Sequence, residues 1–303
     1  MSLENSHDQT SPSRSLQHVR HNELRDLRWW TIAAGLGAVT KRLRLGCLVS
    51  GVTYRHPAML AKVTATVDQI SHGRLELGIG AAWSKDDHIA YGLDFPSLKE
   101  RQERLEEALA IIDSLWTQPS TTFIGKHYQV RDAVFEPKPV QKPRPPILIA
   151  AVGDRGIALT AKYAQIWASV STPGFARQCI ERIEAQCKAI GRDPREIEYS
   201  QYIGLMLSND RRKVREAVEG RMKMLEAAAR RPVMAQGRNA LDGESAEARV
   251  RGSLLAGNGE EIREQVQRYV DVGVTHIILM TPRPFDRALV EKFRKGVMEG
   301  FIV

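Results

Sequence analysis

The chain is short of cysteine, of aromatic residues and of long apolar runs, and each shortage removes a class of protein. Its three cysteines, Cys47, Cys179 and Cys187, are odd in number and lack metal-ligand spacing. That argues against a disulfide scaffold or a zinc module, and for reduced thiols in the cytoplasm. No apolar stretch approaches the ~20 residues that a membrane-spanning helix needs, and the amino-terminal residues hold no apolar signal core. Aromatic residues are 6% of the chain and do not alternate with its basic residues, so the net charge of +8 does not read as a base-stacking nucleic-acid surface. P-loop, Ser/His/Asp and paired-carboxylate signatures are missing as well. Asp86, Asp87 and His88 are consecutive, so a helix turns them away from one another, and no metal site is expected.

What is present reads as one α/β domain. A length of 303 residues, 43% hydrophobic and 26% charged, is enough for a large core. Residues 1–27 are polar and without period, which predicts a disordered arm ahead of a single domain over residues 28–303. A helix is expected from Leu27 to Val39, with Trp30, Ile32, Ala33, Leu36 and Val39 on its buried face.

The organising stretch is residues 42–80, a strand–helix–strand unit. Leu43 to Val49 is an apolar run, Pro57 suits the first turn of a helix, and Met59, Leu60, Val63, Val67 and Ile70 recur at helical spacing. Gly73 ends that helix, and Leu75 to Ile79 is a second buried strand. Two such strands joined by a helix are parallel, with ligands gathering at their carboxyl ends. Further on, Ser97 caps a helix to Trp116, whose solvated face is expected to carry Glu100, Arg101, Glu103, Arg104 and Glu107. A hairpin around Gly125 and a proline-rich connection lead to strands at residues 146–150, 166–170, 199–207 and 275–280, separated by helices. Residues 231–252 have weak period and read as a mobile insertion. The total is about six buried parallel strands.

The segments LRLG, LVSG, TYRHPAMLAK, ATVD and GRLELGIGAAW, in that order, resemble the bacterial luciferase-like monooxygenase family. More narrowly, they resemble its branch that uses the deazaflavin coenzyme F420. The resemblance implies a TIM-barrel-like (β/α)8 fold that here lacks its first two strands. It implies an oxidoreductase transferring a hydride to or from a small organic substrate with F420. FMN-dependent monooxygenation is the alternative, and a truncated, non-catalytic barrel serving as a binding or assembly protein is the reading from another class. A homodimer is expected, because an open parallel barrel leaves backbone groups unpaired at two edges.

By the same resemblance, Leu48, Val49 and Ser50 back the cofactor ring, with a cis peptide at Leu48–Val49. Gly80, Ala81, Ala82 and Trp83 flank the ring. Ala151, Val152, Gly153, Asp154 and Arg155 receive the phosphate-bearing tail at a helix start. The acidic–histidine pair that relatives carry at their second strand has no counterpart, so no catalytic residue is assigned.

Overall fold

A computed structural model describes residues 25–229, 245–281 and 286–301. The expected arm, up to residue 24, and residues 231–244 of the expected insertion lie outside the described residues. In chain order the elements are α1 (Arg25–Val39), β1 (Leu45–Gly46), β2 (Ser50–Gly51), α2 (Pro57–Ile70), β3 (Leu75–Gly80), α3 (Lys85–Ala90) and α4 (Leu98–Thr117). The hairpin β4 (Ser120–Ile124) and β5 (Gln129–Val134) follows, then β6 (Ile147–Ala150), α5 (Asp154–Tyr163), β7 (Ile166–Ser169), α6 (Pro173–Ala189), β8 (Glu198–Leu207) and α7 (Arg211–Ala229). After them come α8 (Ala246–Arg251), β9 (Leu254–Gly257), α9 (Gly259–Val270), β10 (His276–Met280) and α10 (Arg287–Gly296).

Among the described residues every strand pairing outside the antiparallel β4–β5 hairpin is parallel, because helical segments carry the chain back between successive strand positions. β1 and β2 are two pieces of one interrupted strand, both paired with β3. The sheet then runs through β6, β7 and β8 to β10, while β9 pairs with the far half of β8. Among the described residues the result is a curled half-barrel of six strand positions. Among the described residues neither the β1–β2 edge nor the β10 edge has a second partner.

Side chains alternate across the sheet. Leu77, Ile79, Ile147 and Ile149 face outward onto α2 and α4, in one cluster with Leu60, Leu109 and Ile112. Tyr199, Ile203 and Leu205 do the same against α6 and α9, with Ile180, Ile183, Ile262 and Val266. On the concave side Leu48 and Val49 pack on Leu148, Ile166 and Ala168.

Four local expectations are corrected. The strand expected over residues 43–49 is only Leu45–Gly46, and pairing resumes at Ser50 after a break at Leu48–Val49. The expected insertion is ordered over its last residues as α8, and β9 follows it, a strand too short and too close to Gly252 to stand out in the sequence. The helix faces are narrower than their apolar spacing implies: Ile32, Val39 and Met59 are exposed, whereas Trp30, Ala33 and Leu60 are buried. Arg101 and the carboxylates Glu103 and Glu107 of α4 are not simply solvated. Arg101 is buried. Glu107 accepts backbone N–H bonds from Lys126, His127 and Tyr128 at 2.9–3.0 Å, which fixes the hairpin turn onto α4.

One side chain ties α1 to the sheet. Arg74, just before β3, donates to the carbonyls of Gly37 (2.8 Å), Thr40 (2.7 Å), Leu43 (2.7 Å) and Ser71 (2.7 Å), and to the Thr40 hydroxyl (3.0 Å). The fork of a guanidinium reaches all of these at once, and an ammonium does not. Arg74→Lys is expected to lower the unfolding free energy by about 2–4 kcal/mol, since several carbonyls lose their donor together. Urea denaturation followed by circular dichroism measures it, and an unchanged midpoint would refute the role.

Candidate active site

Strand register brings the carboxyl ends into one row. Gly51 pairs with Gly80, Ile79 with Ile149, and Ala150 with Ala168, so the ends of β2, β3, β6 and β7 stand side by side. The three stretches singled out in the sequence fall at this edge.

The Leu48–Val49 peptide is cis. The glycines of β3 are shaped to it. A Cβ on Gly78 would lie 1.6 Å from the Cys47 carbonyl oxygen, and one on Gly80 would lie 2.9 Å from Val49 Cγ2. Both glycines therefore admit the chain's own bulge rather than a ligand directly. Ser50, next in line, is 1% exposed, and its hydroxyl has no hydrogen-bond partner among the described residues.

The turn after β3 is held from below. Ala82 adopts φ +61°, a left-handed conformation that alanine rarely takes. A Cβ on Gly51 would come within 2.9 Å of Ala82 Cβ and 2.8 Å of the Tyr54 ring, so these three residues close on one another. Tyr54 stacks on His88 with centroids 4.7 Å apart. His88 is fully buried. Its Nδ1 donates to the Ser84 carbonyl at 2.6 Å, and its Nε2 meets the Thr53 hydroxyl at 2.6 Å. It supports the turn and is not open to a ligand. Burial raises the Asp87 carboxyl above the usual range, against opposing hydrogen bonds from Ser84 and Tyr54. Trp83 stands at the rim, 56% exposed.

At the third stretch Ala150 is exposed and Gly153 opens α5 with no side-chain cap. A Cβ on Gly153 would meet nothing within 4 Å. The first turn of α5 thus has no side-chain cap, and an uncapped helix start favours an anion. Ala151 is fixed: its carbonyl accepts from Trp167 Nε1 at 2.7 Å, and its methyl fills the place a Cβ on Gly156 would take. Arg155 pairs with Glu106 at 2.7 Å, and Asp154 pairs with Arg182, which also donates to the Val152 carbonyl at 3.0 Å. Neither arginine is directed solely at the helix start.

A model of the family described as luciferase-like monooxygenase matches residues 16–276. The chain belongs to that family. Similar proteins include an F420-dependent glucose-6-phosphate dehydrogenase of Microbacterium testaceum, 28% identical over 82% of this chain and 75% of its own length. A phthiodiolone/phenolphthiodiolone dimycocerosates ketoreductase of Mycobacterium kansasii is 31% identical, covering 63% of this chain and 52% of that protein. The pyrimidine monooxygenase RutA of Stutzerimonas stutzeri is 31% identical over 55% of this chain and 47% of its own. The chain thus spans about half the length of the last two relatives. Among solved structures, an F420-dependent secondary alcohol dehydrogenase superposes with a TM-score of 0.74 at 20% identity, over 89% of this chain and 83% of the other. An EDTA monooxygenase from Chelativorans does so with a TM-score of 0.71 at 17% identity, over 90% of this chain and 77% of that one.

In this luciferase-like chain two supports of the site had no sequence signal. Ser169, Ser171 and Gln201 form a buried network behind the end of β7. There Gln201 Nε2 donates to the two hydroxyls at 2.8 and 3.1 Å, and Tyr269 donates to the Ser171 carbonyl at 2.8 Å. Arg101 reaches across from α4 to donate to the carbonyls of Ala81 (3.0 Å) and Pro96 (2.6 Å), under the Phe95 ring at 3.9 Å. Burial lowers its pKa from the ordinary arginine value. Its position in a run of charged residues hides it in the sequence. Arg101→Met, which keeps the apolar stem, is expected to cost about 2–4 kcal/mol by stranding two carbonyls. It should also quicken hydrogen exchange at residues 81–84, and exchange confined to other segments would count against the assignment.

Proposed function

We propose that this luciferase-like chain is an oxidoreductase that binds coenzyme F420 along the carboxyl ends of β2, β3 and β6 and exchanges a hydride with a small organic substrate. The observation that carries the reading is the row of strand ends, with the buried, unpartnered Ser50 hydroxyl in it and an uncapped helix N-terminus at one side. The residues fit such a group: the unpartnered Ser50 hydroxyl and the uncapped first turn of α5 are what an oxygen-rich, anionic cofactor would satisfy. F420, when bound, supplies the hydride chemistry. Leu48 and Val49 form the apolar backing for its ring, Gly80 to Trp83 flank it, and Val152 to Gly153 offer backbone donors to its tail. Arg155, already paired with Glu106, adds positive potential there rather than a dedicated contact. The F420-dependent relative that aligns over 82% of this chain supports the choice of cofactor. Flavin-dependent monooxygenation is the second reading, favoured by the likeness to the pyrimidine monooxygenase.

Titration of the purified chain with oxidised F420, followed by the cofactor's fluorescence, is expected to saturate in the micromolar range, and FMN is expected not to. Gly153→Glu, which places a carboxylate in open space at the start of α5, should weaken F420 binding about tenfold, whereas Gly153→Ala should leave it within about twofold. Saturation by FMN alone would move the assignment to the flavin reading. Binding of neither by folded protein would favour a barrel that serves as a binding or assembly partner.

A further inference from the structure

The concave side of the half-barrel holds a second set of convergent groups, at the end of the strands opposite the row described above. Arg44 stands just before β1, Glu76 near the start of β3, Glu198 at the start of β8 and His276 at the start of β10. All four line a concavity of about 540 Å³ whose upper wall is Leu48, Leu148 and Ile278. That volume is in the range of small-molecule sites.

The groups are organised. Arg44 pairs with Glu76. His276 Nδ1 donates to the Glu198 carboxylate and lies 3.1 Å from the Ser200 hydroxyl, while Nε2 makes no hydrogen bond with the described residues. The floor thus sets two carboxylates against one guanidinium. Burial, with the like charge of Glu198, raises the Glu76 carboxyl above its ordinary range against the pull of Arg44 and His276. Two carboxylates and one imidazole face the concavity beside a single guanidinium, and Leu48, Leu148 and Ile278 complete its lining.

We infer that this concavity is a binding site for a small organic ammonium compound, its cationic head on Glu198, Glu76 and His276 Nε2 and its apolar body against Leu48, Leu148 and Ile278. Its charged floor lies at the strand ends opposite the row described above, with Leu48 standing between the two, and the inference does not rest on the cofactor reading.

The probe is benzylamine at pH 7, titrated by calorimetry into the cofactor-free chain, with benzyl alcohol as the uncharged match. Benzylamine is expected to bind saturably and at least tenfold more tightly than benzyl alcohol. Glu198→Gln should weaken it at least tenfold, and Ile278→Phe, which narrows the apolar wall, at least fivefold, each variant first checked for a native circular-dichroism spectrum. Should Glu198→Gln fail that check, Ile278→Phe decides alone. Equal affinity for the alcohol, no binding by folded wild-type chain, or affinity unmoved in the folded variants would overturn the inference.

Discussion

Everything at the candidate site depends on the parallel register of one sheet. Parallel strands need a helical return between them, so every strand of the sheet points the same way and all of its carboxyl ends share one edge. The pairings Gly51–Gly80, Ile79–Ile149 and Ala150–Ala168 then level three segments that are far apart in the chain. A slip of one residue at any of these ladders would turn Leu77, Ile79, Ile147 and Ile149 off the helical layer. Their burial at 0% exposure is what locks the register.

The break at Leu48–Val49 is accommodated by β3 rather than by the strand that contains it. Gly78 receives the Cys47 carbonyl and Gly80 receives the Val49 side chain, so two strands are complementary at atomic scale. Pairing stops at Gly46–Glu76 and resumes at Ser50–Ile79. The turn beyond is braced by Arg101, His88 and Tyr54, whose polar atoms are largely spent on backbone and neighbouring side chains. The rigidity of the site comes from these supports.

The basic surplus of the chain also has a structural use. Helices antiparallel to the strands bring their carboxyl ends to the opposite edge of the sheet, where carbonyls lack partners and the helix dipole favours cations. Arg74 serves the end of α1. Arg192 serves α5 through the carbonyls of Ala161 (2.8 Å) and Ala164 (2.6 Å), and Arg144 adds the Tyr163 carbonyl (2.8 Å). Lys138 covers the end of α4 through Leu115 (2.8 Å) and Gln118. Part of the +8 charge is thus consumed in capping, which fits its scatter along the sequence.

The sequence by itself determined the alternation of helices and strands, the parallel sheet and the three segments at its edge. Those follow from local periodicity, from Pro57 and Ser97 at helix starts, and from a run of motifs whose order is specific. It did not determine which polar residues lie inside. Arg101 sits among charged neighbours at helical spacing, and only the packing of α4 on the turn after β3 makes it a buried donor. Gln201 and Ser171, 30 residues apart, and His276 and Glu198, on different strands, meet through tertiary pairing alone. Nor did it reveal that Gly78 and Gly80 are filled by the chain itself. Local patterns report the exposure a segment needs on average. Which atoms face one another is decided only when register and helix docking are fixed together.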